Sequence, residues 1–581
     1  MSFRARIIFK AMETVLIQIQ TQKNSTTQKL LAVLAIPLLV LTASCSDDTQ
    51  STTTVFTNFN GYSFDNAREL EQFTTLVVDL GKVVAIGDDR LVENFSEANI
   101  VDGQGKTLIP GITDAHGHVS SLGYTLLQID LRDTGSARQA ASQIADYAKE
   151  KPYLKWIRGR GWNQVLWPGQ QFPNAKILDE LVSDRPIWLE RIDGHAGWAN
   201  SKALELAGIN ANTISPPGGE ILRDANGQPT GILIDNAMNI INRIIPPPSD
   251  EELAAAVDAA TNHLLSLGIT STHDAGVSAT EHRFYSGLAK RQELAVRLYG
   301  MISSTDPELG SILSAGPMVD NNDLYSVKSV KVYTDGALGS RGAAMLEPYT
   351  DRPGHSGLLL TSQQQLRSIF NDAIKADFQV AIHAIGDKGN QIGLDEVEHA
   401  YATIGGETLR HRMEHAQIVS LADIPRFKAL NVIPSMQPTH ATSDMNMAED
   451  RIGAERLKGA YAWRSFLDQG SRLVSGSDYP IELANPFHGI HAAVTRQNKD
   501  NQPEQGWTPE QTITLEEAMR SFTIDAAWAA HQETVLGGLS PGKWADFIVI
   551  DQDLFSIPPQ DLWKTEVLQT WLAGKRVYEK P

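Results

Sequence analysis

The sequence predicts an α/β chain: a (β/α)₈ TIM-type barrel that carries a small β-sandwich built from both termini and a subdomain inserted after the first barrel strand. Three observations lead there. Eight apolar strand-like runs alternate with helical stretches through the middle of the chain, β-rich runs recur at both ends, and the gap after the first barrel run is too long for one βα unit. Strands alternating with helices make a parallel sheet, and eight such units close into a barrel whose functional groups sit at the C-terminal strand ends.

Residues 1–45 read as a signal. Arg4, Arg6, Lys10, Lys23 and Lys29 precede the apolar run from Leu30 to Leu41, a stretch too short for a comfortable membrane span. The run closes on Thr42, Ala43 and Ser44 before Cys45, the only cysteine among the 581 residues. This resembles a bacterial lipoprotein signal with Cys45 as the lipidated residue, although Thr42 stands where such signals usually carry Leu. The expectation is therefore an exported bacterial lipoprotein, periplasmic or anchored to the outer membrane, that meets the membrane through its lipid alone. Residues 46–54 form a tether. A cysteine-free body also suits an oxidising compartment.

Residues 55–107 hold short β-rich runs, including Thr75 to Asp79 and Lys82 to Gly87, and residues 531–581 repeat that character with Phe547 to Ile550 and Val567 to Leu572. The first barrel strand is placed at 108–118, the inserted subdomain at 119–250 and the rest of the barrel at 251–530. Within the insertion, Trp162 and His195 are candidates for lining a substrate pocket, and local packing is the competing reading of each. The formal charge of −19 argues against nucleic acid, whose phosphates are bound by clustered Lys and Arg. At 20% charged and 42% hydrophobic residues, the composition is that of an ordinary globular protein.

The chemistry is carried by strand ends. In Leu108-Ile109-Pro110-Gly111-Ile112-Thr113-Asp114-Ala115-His116-Gly117-His118, the two histidines fall on one face of a strand and can aim at one metal ion. Lys331, His383, His415 and Asp478 lie at or near later strand ends. His383 and His415 are 32 residues apart and Asp478 is 63 beyond, in step with a βα repeat of about 30 residues.

The segments around these residues resemble the amidohydrolase superfamily: the run from Gly105 to His118, His383-Ala384-Ile385-Gly386-Asp387, Met413-Glu414-His415-Ala416-Gln417 and Gly476-Ser477-Asp478-Tyr479-Pro480. The stretch from Lys331 to Arg341, the Asp193-Gly194-His195 insertion and the segment from Leu539 to Asp546 are similar to amidohydrolase family 3, which includes N-substituted formamide deformylases. The resemblance implies a metal-dependent hydrolase that uses activated water to cleave a non-peptide carbon–nitrogen bond in a small-molecule amide. It implies one or two divalent ions, zinc first among them, held by His116, His118, His383, His415, Asp478 and a carbamylated Lys331. Asp478 would be the catalytic proton acceptor, and His383, His415 or His195 would polarise the carbonyl.

Other readings stay open at this point: a deaminase or cyclic amidase on the same site, or a non-catalytic surface lipoprotein that retains the barrel. A closed structural zinc site fits less well, because six candidate ligands exceed the four it uses. If Cys45 is the lipidated residue, Cys45→Ser is expected to abolish palmitate labelling and release the protein from membranes, and globomycin to block processing of the unaltered chain; labelling and fractionation check this.

Overall fold

The computed structural model describes residues 52–581, apart from 133, 192–195, 217–218 and 340. Cys45 and the signal therefore lie outside the described residues, as does His195.

Eight parallel strands form the central sheet in sequence order: β1 (Ile112–Gly117), β2 (Ile269–Val277), β3 (Arg297–Ser303), β4 (Tyr325–Tyr333), β5 (Gln379–Ala384), β6 (Arg412–His415), β7 (Ile433–Met436) and β8 (Val474–Ser475). Strands β1, β3, β6 and β7 are buried along their whole length, as expected for a parallel sheet with side chains packed on both faces. β8 is only two residues long, so the near-closure of the barrel relies on the chain immediately beyond it: Gly117 and Tyr479 form a parallel bridge, and His118 N donates to Tyr479 O at 2.9 Å.

The outer helices begin with a repeated device. Ser249, Ser278, Ser362 and Thr514 each cap a helix with the side-chain oxygen, while Glu252, Glu281, Gln365 and Glu517 reach back to the cap's backbone N–H. This reciprocal pair satisfies two donors that a helix start otherwise leaves unpaired.

The apolar run expected to be one strand is two. Thr107–Pro110 pairs with Phe547–Ile550 and Asn60–Phe64 in a six-stranded sheet drawn from both ends of the described chain, and only Ile112–Gly117 belongs to the barrel. The break falls at Gly111, where an added Cβ would sit 2.1 Å from the Thr270 hydroxyl, so the chain changes sheet at a point of close approach to β2. A second, four-stranded sheet contains Thr54–Thr57, Thr75–Asp79, Lys82–Gly87 and Asn99–Asp102. The two sheets share a core in which Phe56, Phe547 and Trp571 pack with ring centroids 4.9–5.4 Å apart.

Between β1 and β2 a third sheet forms from Ile129–Asp130, Ile157–Trp162, Ile187–Arg191, Ala196–Ala199, Gly219–Arg223 and Pro229–Asp235. It has its own apolar cores. The helix Val119–Leu127, by contrast, places Val119 and Leu122 in the barrel core and packs so closely on Asp250–Ser266 that a Cβ at Gly123 would meet Ala256 O at 1.9 Å.

One buried ion pair ties the terminal sheet to the barrel. Arg297 on β3 meets both carboxylate oxygens of Asp546, at 2.5 and 3.1 Å, and its remaining donors reach Asn322 O and Asp323 O. Because removing one partner strands a buried charge, Asp546→Ala is expected to cost about 3–5 kcal/mol. Arg297→Met combined with Asp546→Leu should cost less. Denaturant midpoints of the three proteins test this.

Candidate metal centre

Five strand ends converge at the C-terminal mouth. β1 delivers His116 and, one residue past its end, His118; β4 delivers Lys331, β5 His383 and β6 His415, and Asp478 lies just beyond β8. The imidazoles cluster: ring centroids are 5.6 Å apart for His116 and His118, 4.8 Å for His116 and His415, and 4.6 Å for His383 and His415. Asp478 Oδ1 lies 3.0 Å from His118 Nε2 and 3.6 Å from His116 Nε2. Lys331 Nζ stands 3.1 Å from His116 Nε2. All six residues nominated as ligands are thus brought together.

The local backbone is unusual where they emerge. His415, Ala416 and Asp478 have φ of +74°, +42° and +60°. Such left-handed conformations in residues with a Cβ cost about 1–3 kcal/mol each and persist where the surroundings enforce them. At Asp478 the enforcement is visible. Its N–H donates to His116 O at 2.7 Å, while neighbouring Ser477 donates through N and Oγ to the buried carboxylate of Asp114.

Burial decides the charge states. It pushes His116 down to about 4 and His383 down to about 3, and the nearby Lys331 pushes both the same way. His415 is held well below its ordinary value by burial and by its histidine neighbours. Neutral imidazoles are the form that ligates a cation. Burial also lowers Lys331 to about 8, which raises the fraction of free amine at neutral pH. For Asp478, burial works upward, but the His118 hydrogen bond and the surrounding histidines outweigh it and keep the carboxylate ionised.

A second set of groups fixes these side chains, and sequence reasoning gave none of it a role. Glu414 Oε2 accepts from His116 Nδ1 at 2.5 Å and from Ser435 Oγ at 2.7 Å. Arg412 grips the same carboxylate and donates to Ala115 O. Arg412 and Glu414 are two apart on β6 and fully buried; opposite charges at alternating positions of a strand, and so on one face, were the signal available for them. Asp335, just past β4, accepts from the N–H groups of Ala344, Ile385 and Gly386 and so braces the loop after β5, its Oδ1 standing 3.9 Å from His383 Nε2. His440, in the helix Pro438–Asp444 after β7, brings Nε2 to 3.5 Å from Asp478 Oδ2.

Trp162 belongs elsewhere. It is fully buried in the core of the inserted subdomain, its Nε1 donates to Leu189 O at 2.9 Å, and its ring packs beside Trp167 and Trp198. Packing, not pocket lining, is its role, because an indole with its one donor spent on a backbone carbonyl inside a core has nothing to offer a substrate.

The donor set fits a divalent cation. His116, His118 and Asp478, and also His415, His440 and Asp478, place one ligand atom each within 4.8 Å of one another. His383 Nε2 is buried without a hydrogen-bond partner, a lone pair or proton left without a use in the protein itself.

A parallel barrel with imidazoles, a lysine and a carboxylate at its C-terminal mouth is the architecture of a metal-dependent hydrolase. Residues 99–578 match the amidohydrolase family designated Amidohydro_3, and the chain belongs to that family. It is 32% identical to Protein LONG AFTER FAR-RED 3 of Arabidopsis thaliana, over 89% of this chain and 91% of that protein. To the putative amidohydrolase YtcJ of Bacillus subtilis it is 31% identical, over 90% and 98%, and to the N-substituted formamide deformylase of Arthrobacter pascens 27%, over 87% and 95%. Among solved structures, an uncharacterized metal-dependent hydrolase from Pyrococcus horikoshii superposes with a TM-score of 0.72 at 28% identity, covering 87% of this chain and 99% of that one. The family implies a divalent metal, and this cluster of histidines and aspartate is where the chain could hold it.

Outer partners of metal-binding histidines typically contribute tenfold to a hundredfold in metal affinity. Glu414→Gln is therefore expected to weaken metal binding by about 10–100-fold while the far-UV spectrum stays near wild type; competition with a chromogenic chelator measures it.

Proposed function

We propose that the protein hydrolyses a non-peptide carbon–nitrogen bond in a small-molecule amide, with water as the attacking group. The observation that carries this reading is the placement of Asp478: one carboxylate within 3.0–3.6 Å of His118, His116 and His440 at the mouth of the barrel. The similarity to an N-substituted formamide deformylase supports an acyl–nitrogen substrate.

His116, His118, His383, His415 and Asp478 would hold one or two ions, zinc the leading candidate. A bound divalent ion supplies Lewis acidity and makes water acidic enough to ionise near neutral pH. Asp478 takes the proton as the water oxygen bonds to the carbonyl carbon. When the carbon–nitrogen bond breaks, the same carboxyl returns that proton to the departing nitrogen, so the carboxylate is regenerated and the products are an acid and an amine. The left-handed backbone at Asp478 and its hydrogen bond to His116 O keep this carboxylate aimed at the site through both transfers.

Lys331 enters as a carbamate. Its amine adds to CO₂ with loss of a proton, giving an anionic group with two oxygens where an ammonium could not ligate a cation. Two features favour it: burial, which lowers the amine to about 8, and a position 3.1 Å from His116 Nε2. We further propose that the enzyme works as an exported, lipid-anchored protein.

Chelation is expected to abolish hydrolysis across a panel of N-formyl, N-acyl and cyclic amides, and divalent metal to restore it. Asp478→Asn should lower kcat by about 10²–10⁴ while metal stoichiometry stays near wild type. Elemental analysis beside the assay checks both, and full activity in either preparation would exclude the scheme.

A further inference from the structure

The imidazoles at the barrel mouth differ in what holds their other nitrogen. His116 Nδ1 faces the Glu414 carboxylate, which can only accept while ionised, so Nδ1 carries the proton and Nε2 presents a lone pair. His415 Nδ1 faces Gln437 Oε1 at 2.8 Å, and Gln437 Nε2 is engaged with Ser435 O, so His415 likewise turns a lone pair inward at Nε2. In its unmodified form Lys331 agrees with this, since its Nζ donates to His116 Nε2. Both rings are preset as ligands.

His440 is set the other way. Its Nδ1 lies 3.0 Å from Gln417 Nε2, an amide nitrogen that can only donate. A neutral ring that accepts at Nδ1 carries its proton on Nε2. That Nε2 is buried without a hydrogen-bond partner, 3.5 Å from Asp478 Oδ2, and the ring lies 5.9 Å from His415 at 20° to it. A buried N–H without an acceptor costs free energy unless something arrives to receive it. The main chain of Gln417 is held in place, its backbone carbonyl accepting from Tyr461 N at 2.6 Å.

We infer that His440 is a catalytic hydrogen-bond donor and not a metal ligand: its Nε2–H binds the substrate carbonyl oxygen and strengthens that bond as the oxygen becomes an oxyanion, with Gln417 setting the tautomer. The proton stays on nitrogen throughout. This rests on the proposed hydrolysis and deepens it, because it requires a substrate with an sp² acceptor oxygen beside the bond that Asp478 serves. Donors of this kind, fixed before the charge develops, are worth about 10²–10³ in kcat.

The test uses the metal-loaded protein, three variants and ¹⁵N imidazole NMR, the His440 signals being assigned by their loss in His440→Gln. The wild type should show the His440 proton on Nε2. His440→Ala should keep the full metal complement and lose about 10²–10³ in kcat on the amide panel. Gln417→Glu, which puts an acceptor against Nδ1, should move the proton to Nδ1 and reproduce the loss at unchanged metal content. A wild-type ring protonated at Nδ1, a metal equivalent lost in His440→Ala, or an unchanged kcat in both variants overturns the assignment. If the metal-loaded wild type turns over no amide, the hydrolytic reading fails by itself; tautomer and metal content still decide whether His440 is donor or ligand.

Discussion

The seam between β8 and β1 is the constraint on which the rest of the site depends. β8 contributes only two residues of ladder, so closure falls to the backbone just beyond it, where Asp478 N binds His116 O and His118 N binds Tyr479 O. Three of the four residues they join, His116, His118 and Asp478, are those whose side chains cluster at the centre. Gly476 shows how tight the join is: a Cβ there would lie 2.4 Å from His116 N. Barrel closure and the positioning of His116, His118 and Asp478 are therefore one event, and a loosened seam would cost both stability and geometry.

Around the seam, charge is arranged so that burial is tolerable. Glu414 and Arg412 neutralise one another inside the barrel, with burial working to raise the Glu414 carboxyl and Arg412 and His116 overcoming it. A buried carboxylate with several donors can stay ionised and hold a histidine in one tautomer. Asp114 instead accepts from Ser477 and from His116 N, and Asp274 from Val119 N, all of them neutral donors, and burial pushes each carboxyl up to about 7. The carboxyls therefore sort by their partners: Arg412 and His116 keep Glu414 ionised and histidines keep Asp478 so, while Asp114 and Asp274 rise with burial.

Much of this was legible in the sequence because it obeys simple periods. Eight runs such as Ala295 to Gly300 and Val327 to Tyr333 announce parallel strands by their apolarity, and His116 with His118, His383, His415 and Asp478 keep pace with them. What escaped was non-periodic. Nothing in a one-dimensional pattern distinguishes Trp162 in a core from Trp162 at a pocket, since both demand an aromatic near apolar neighbours. The break at Gly111 depends on how near Thr270 comes, a distance set by the other strand. His440 sits on a helix beyond β7, out of step with the strand ends, and its importance comes from Gln417 on a different segment.

The pairing of Thr107–Pro110 with Phe547–Ile550 has a temporal consequence. More than four hundred residues separate the two strands, and everything between them must be synthesised before the sheet can gain its central partner. Until then Thr107–Pro110, paired on one side with Asn60–Phe64, presents an open edge on the other, the kind of surface that invites pairing with a neighbouring chain. Loop closure over such a span is entropically slow to begin but little worse than over half the distance. The terminal sheet is thus the last part of the fold that the emerging polypeptide can complete.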